Sequence, residues 1–203
     1  MEIAETGLHE VPAGKIAAVV TCLEMRERPP LPERKPPPGV RLARRRAPEP
    51  GWYRELYRAI GARWLWFSRL AMSDRELAAV IRDPAVEVHA VEAEGRAIGL
   101  LELDRRRFPD IELAFLGLLP DRTGRGIGRW LIGEAIGLAF AHRPARFWVH
   151  TCTLDHPAAL SFYIASGFRP YARFVEIADD PRLTGLLPKD AAPHVPLIGE
   201  PSS

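Results

Sequence analysis

Gly124, Gly126 and Gly128 interleave with Arg125 and Arg129 in the run Leu119-Pro120-Asp121-Arg122-Thr123-Gly124-Arg125-Gly126-Ile127-Gly128-Arg129. Glycines here strip side chains from a turn, so backbone N–H groups can approach a ligand closely. A helix that begins at this turn adds unpaired N–H groups and a positive dipole end, both of which favour an anion. The chemistry read from this spacing is a pyrophosphate cradle; the alternative is a plain glycine turn. A Walker loop is excluded, because no Gly-Lys-Ser/Thr follows. A dinucleotide fingerprint is excluded as well, because Arg129 stands where the third glycine is needed. The other groups of chemical interest are Glu112, His150, Cys152, Asp155, His156 and Tyr163.

The elements that must position these groups follow from periodicity. Apolar residues over 111–118 predict a strand leading into the glycine turn. Ile127, Leu131, Ile132, Ala135, Leu138 and Ala139 form one stripe, which predicts a helix over 126–142. A strand is expected over 146–152 and a helix over 157–166, stopped by Gly167. Earlier, Trp52, Leu56, Ile60, Trp64, Phe67 and Leu70 recur at helical spacing through 51–83. Ser73 with Glu76 predicts a capping box for a helix ending before Pro84. Strands are expected over 15–23, 40–44, 86–91, 97–103 and 173–177, with a hairpin turn at Glu94-Gly95. Six prolines between Pro29 and Pro38 make an extended connector. The strand before it is expected to pair with a sheet edge or a second subunit, giving a homodimer, or to dock loosely as an arm.

Bulk properties narrow the class. A chain of 203 residues suits one domain with extensions. A net charge of +2 implies no strong attraction to nucleic acid. No apolar run is long enough to cross a membrane, and the start lacks the pattern of a signal peptide. Two cysteines, Cys22 and Cys152, do not make a disulfide framework. A reducing cytoplasm is therefore expected. The six histidines are scattered, so no metal site is expected.

The glycine turn resembles motif A of the GNAT acetyltransferase superfamily, Gln/Arg-x-x-Gly-x-Gly/Ala. Gly126 and Gly128 match its glycines, while Thr123 stands where Gln or Arg is usual. The run from Asp155 to Phe168 resembles motif B. Ala158, Tyr163, Gly167 and Phe168 fall in place, and Asp155 replaces the usual Asn. The two motifs have the family's order and spacing, and the resemblance covers roughly residues 40–177. It implies an α/β fold of the mixed, α+β kind: a twisted central sheet flanked by helices and splayed between the strands before motifs A and B. Residues 1–38 then form an N-terminal strand plus connector, 39–178 the acetyltransferase domain and 179–203 a tail.

The resemblance also implies acetyl-CoA, with a small-molecule or peptide amine as acceptor and direct transfer between them. A CoA-binding module without catalysis is the alternative. Leu118, Thr123, Gly124, Arg125, Gly126, Ile127, Gly128 and Arg129 are expected to hold the coenzyme, with Asp155, Ala158 and Tyr163. Arg125 and Arg129 can equally be solvated helix charges, and Asp155 can cap the following helix. Acetyl transfer needs a neutral amine, a stabilised carbonyl oxygen and a proton for the departing thiolate. Glu112 is the first candidate for the base, on a face opposite Leu113, Phe115 and Gly117. His150 and His156 are further candidates, as is a water chain. Tyr163 is the expected acid, and the N–H of Leu118 or a neighbour is expected to serve the carbonyl. Cys152 is a candidate nucleophile, with a packed strand thiol as its alternative. Trp66, Phe108 and His150 are expected to line the acceptor site, while Trp64 and Phe67 pack.

Overall fold

In the computed structural model, residues 6–30, 32 and 34–199 are described; expectations that fall on 1–5, 31, 33 and 200–203 lie outside them. Seven strands form one sheet: β1 (Lys15–Met25), β2 (Val40–Arg45), β3 (Val86–Ala93), β4 (Arg96–Asp104), β5 (Asp110–Leu118), β6 (Arg146–Cys152) and β7 (Arg169–Asp179). Four helices accompany them: α1 (Pro50–Gly61), α2 (Asp74–Ile81), α3 (Ile127–Ala141) and α4 (Ala159–Ala165). The spatial order of strands is β2-β3-β4-β5-β6-β1-β7. All neighbours are antiparallel except β5 and β6. This is the mixed α/β sheet that the element order predicts.

Each face of the sheet carries an apolar layer. Leu23, Val91, Leu101, Leu113, Leu131, Ile136 and Phe147 close one layer beneath α3 and α4. Tyr53, Leu56, Ile60, Leu77, Val88 and Leu100 close the other beneath α1 and α2. Strand β3, next to the edge strand β2, is buried along its whole length. Its Glu87 meets Arg44 (2.9 Å), His142 (3.0 Å) and Arg105 (3.2 Å). The Glu87 carboxyl is held down to about 2, chiefly by hydrogen bonding to His89 and further by Arg44.

Two features depart from the sequence reading, and the tail, which the sequence leaves open, is settled by the fold. β1 does not lie at an edge of the sheet. It is inserted inside the sheet, paired with β6 through Val20–Met25 and with β7 along nearly its full length. The helical spacing through 51–83 breaks after Gly61, and Leu65 takes a left-handed backbone (φ 52°). Residues 65–72 are consequently a loop, and α2 starts at the expected capping box, in which Ser73 N–H donates to Glu76 Oε2 (2.8 Å) and Glu76 N–H donates to Ser73 Oγ (3.3 Å). The tail beyond β7 is docked: the buried Arg182 donates to Asp180 (2.7 Å) and to the Val195 carbonyl (2.8 Å). Leu187 and Ala192 join the layer beneath α1.

Candidate active site

β5 and β6 pair in parallel only at Asp110–Arg146, Ile111–Phe147 and Glu112–Trp148. Beyond these pairs they diverge. Leu119 N–H donates back to Ile98 on β4 (2.9 Å). Since N–H groups alternate sides along a strand, the N–H of Leu118 lies on the side of the gap. A cavity of about 840 Å³ occupies this gap and runs from the glycine turn to a polar end at Glu112, His150 and Glu176.

At the first end, Gly124 (φ 76°) and Gly126 (φ 80°) adopt left-handed backbone, which only glycine enters without strain. The turn so made delivers the chain into α3. No side chain caps α3 and no acidic residue lies in its first turn, so its positive end stays open to an anion. Thr123 does not reach outward as a Gln or Arg would. Its hydroxyl donates to the Pro120 carbonyl (3.0 Å) and so braces the turn.

Midway, Tyr163 of α4 lines the cavity and is 8% exposed. Burial pushes its hydroxyl pKa up, and the Asp155 carboxylate adds to this, so the phenol stays protonated. The loop after α1 roofs the gap at this point. Trp66 Nε1 donates to Asp155 Oδ1 (2.9 Å), and its ring lies 5.4 Å from Tyr57 and 5.3 Å from Phe115. Trp64 stands 5.1 Å from His156. The other oxygen of Asp155 accepts from Thr151 Oγ1 (2.7 Å) and Cys152 N–H (2.9 Å).

At the far end, Glu112 Oε1 and His150 Nδ1 are 3.4 Å apart. Hydrogen bonding to Glu112 raises the His150 pKa above its ordinary 6.5, with Asp155 and Glu176 adding to the effect. The Cys152 thiol is pushed up to about 11 by burial and by Asp155. It is therefore a thiol at neutral pH, which disfavours an acetyl-cysteine route. Below this end lies a buried pair, Arg69 and Glu102 (2.6 Å), with the Tyr53 hydroxyl donating to the same carboxylate.

A family model described as the acetyltransferase (GNAT) family matches residues 42–168. The chain belongs to the GNAT acetyltransferase family. Solved structures of similar fold include a GNAT-family acetyltransferase from Novosphingobium aromaticivorans, with 17% identity, TM-score 0.55 and coverage of 82% of this chain and 67% of that one. A GCN5-related N-acetyltransferase from Sphaerobacter thermophilus has 15% identity, TM-score 0.55 and coverage of 80% and 52%. An IAA acetyltransferase from Bacillus cereus has 20% identity, TM-score 0.51 and coverage of 66% and 79%. At these identities the likeness is one of fold. The chain spans about half to two thirds of the length of the first two. No curated protein matches by sequence.

Within this GNAT domain the cavity gathers most of the expected site residues: Leu118, Thr123, Gly124, Gly126, Gly128, Arg129, Asp155, Ala158 and Tyr163 on the coenzyme side, and Trp66, Glu112 and His150 on the other. Several expectations need correction. Phe108 is 56% exposed at the β4–β5 turn and does not line the cavity. Arg125 is exposed and also outside the lining, and the Ile127 side chain is buried in the core, leaving its backbone alone for the ligand. Asp155 does not cap α4, which has no side-chain cap; the His156 ring instead accepts the Ala158 N–H (3.1 Å). Glu112 does share its face with Phe115 and Gly117. β5 skips one residue against β4, with Leu103 opposite Leu113 and Glu102 opposite Phe115, so Ala114 is a bulge that inverts the alternation. Trp64 and Phe67, expected to pack, also line the cavity. Sequence reasoning missed Arg69, Glu102 and Glu176. Glu176 had a signal, since it lies within the strand expected over 173–177. The buried pair had none, because its partners are brought together only by the fold.

Proposed function

We propose that the chain transfers an acetyl group from acetyl-CoA directly to a primary amine of a small molecule or peptide. The observation that carries this reading is the continuity of one cavity from the open helix end at Gly124–Gly126 to the Glu112–His150 pair. The residues present fit the coenzyme. The turn offers N–H groups to a diphosphate, and the unpaired edge of β5 offers main-chain groups to an amide-bearing arm.

Acetyl-CoA supplies the thioester. Glu112, hydrogen-bonded to His150, takes a proton from the acceptor's ammonium so that a neutral amine faces the carbonyl carbon. The Leu118 N–H points into the gap where the carbonyl oxygen gains charge. A C–N bond forms and the C–S bond breaks. Tyr163 donates a hydrogen bond to the departing thiolate. Of the three ammonium protons, one stays on the amide, one ends on the thiol and one is released to solvent.

The test pairs two measurements: thiol release from acetyl-CoA across a panel of amines, and the shift in melting temperature on adding CoA. The reading expects both a shift and turnover with at least one amine. A shift without turnover across a broad panel favours a coenzyme-binding module, and the absence of any shift refutes the cradle.

A further inference from the structure

We infer that the Trp66 indole is the wall that sets acyl-chain length, holding the donor to a two-carbon acyl group. The inference rests on the acetyl-transfer reading and extends it from the transferred group's chemistry to its size. Trp66 spans the gap between the two diverging strands. Its six-membered ring lies over Gly117 on β5, where a Cβ would sit 3.1 Å from the ring, and its Nε1 reaches Asp155 beyond the end of β6. Two residues without side chains make room for it, for a Cβ on Gly61 would sit 2.5 Å from the Trp66 side chain.

The indole cannot swing aside cheaply. Tyr57 and Phe115 pack against it. Moving it takes from Asp155 Oδ1 the one donor it has among the described residues. Trp66 lines the same cavity as Tyr163, the glycine turn, Glu112 and His150. A longer acyl chain carried toward the indole meets a ring that its packing and its bond to Asp155 hold in place. Each methylene that a rigid apolar wall rejects is worth roughly tenfold or more in kcat/KM.

The experiment compares wild type, Trp66→Ala and Trp66→Phe with acetyl-, propionyl-, butyryl- and hexanoyl-CoA. It reads thiol release with one amine and, without any amine, the dissociation constant of each thioester by calorimetry. Wild type is expected to lose at least about tenfold in kcat/KM between acetyl and butyryl. Trp66→Ala is expected to bring that ratio to within roughly threefold and to tighten butyryl-CoA binding relative to acetyl-CoA. Trp66→Phe, which keeps a ring but loses the tether to Asp155, is expected to fall between them. If Trp66→Ala does not fold, Trp66→Leu takes its place. Equal use of acetyl and butyryl donors by wild type overturns the inference, as does a folded small-residue variant that keeps the wild-type ratio. Thiol release from none of the thioesters refutes the transfer reading instead, and the binding series then decides the wall independently.

Discussion

Asp155→Asn is a near-isosteric change whose cost can be worked from the structure. The carboxylate accepts from Trp66 Nε1, Thr151 Oγ1 and Cys152 N–H, and all three are used here as donors. An aspartate can accept them all, whereas an asparagine must present an NH₂ group to at least one. Turning the NH₂ toward the Oδ2 position opposes the Cys152 N–H and forces the Thr151 hydroxyl to switch from donor to acceptor, so the smaller loss turns it toward Trp66. One charge-assisted bond is then lost and a donor at the cavity roof is left unpaired, at a cost of about 1–3 kcal/mol. For a chain of this size that corresponds to a melting temperature lower by roughly 2–12 °C. Urea and thermal denaturation of Asp155→Asn, Trp66→Phe and the double variant check the reasoning. In the Trp66→Phe background the Asn substitution should cost less, because the opposing donor is gone. An Asp155→Asn protein as stable as wild type, or one whose cost is unchanged in the Trp66→Phe background, refutes the account of why Asp stands in this motif.

Gly126→Asp forces a side chain onto left-handed backbone and sets a carboxylate beside the diphosphate; CoA affinity measured by calorimetry should fall about 100-fold or more, with the fold retained by circular dichroism. Tyr163→Phe should lower kcat by about 10–100-fold while the CoA dissociation constant stays within roughly threefold, since the phenol meets the sulfur only as charge develops. In pH–rate profiles, wild-type kcat/KM should rise through an inflection above 6.5, because Glu112 raises the His150 pKa and the proton-accepting form of the pair appears only as pH rises past it; in Glu112→Gln the inflection should move down toward 6.5 and the plateau should fall. In acid, Glu87 has a folded pKa of about 2 against an ordinary 4.5, so its contribution is present above about 4.5 and is lost as pH falls toward 2; Glu87→Gln should be less stable than wild type at neutral pH and should lose part of that acid dependence in urea titrations.

Legibility in the sequence depended on how local the determinant was. The glycine turn, the capping box at Ser73 and the Glu94-Gly95 hairpin are set by residues within a few positions of one another, and the structure forms each of them. The position of β1 inside the sheet was not legible, because strand order depends on partners more than a hundred residues away. The bulge at Ala114 leaves no mark on an apolar run such as Leu113-Ala114-Phe115-Leu116, and yet it turns Phe115 and Gly117 to the Glu112 face. Helical spacing carried past Gly61 because Trp64, Phe67 and Leu70 kept the period while serving a loop. At Asp155 the type of residue was visible, but its three donors come from the α1–α2 loop and from β6, and only the fold unites them.

The most direct measurement of the central claim is a crystal structure of the protein with CoA bound. The account predicts the diphosphate on the main-chain N–H groups between Gly124 and Arg129, the pantetheine arm between the separated ends of β5 and β6, and the sulfur near the Tyr163 hydroxyl. A nucleotide seated outside this gap, or an arm that never enters it, contradicts the account.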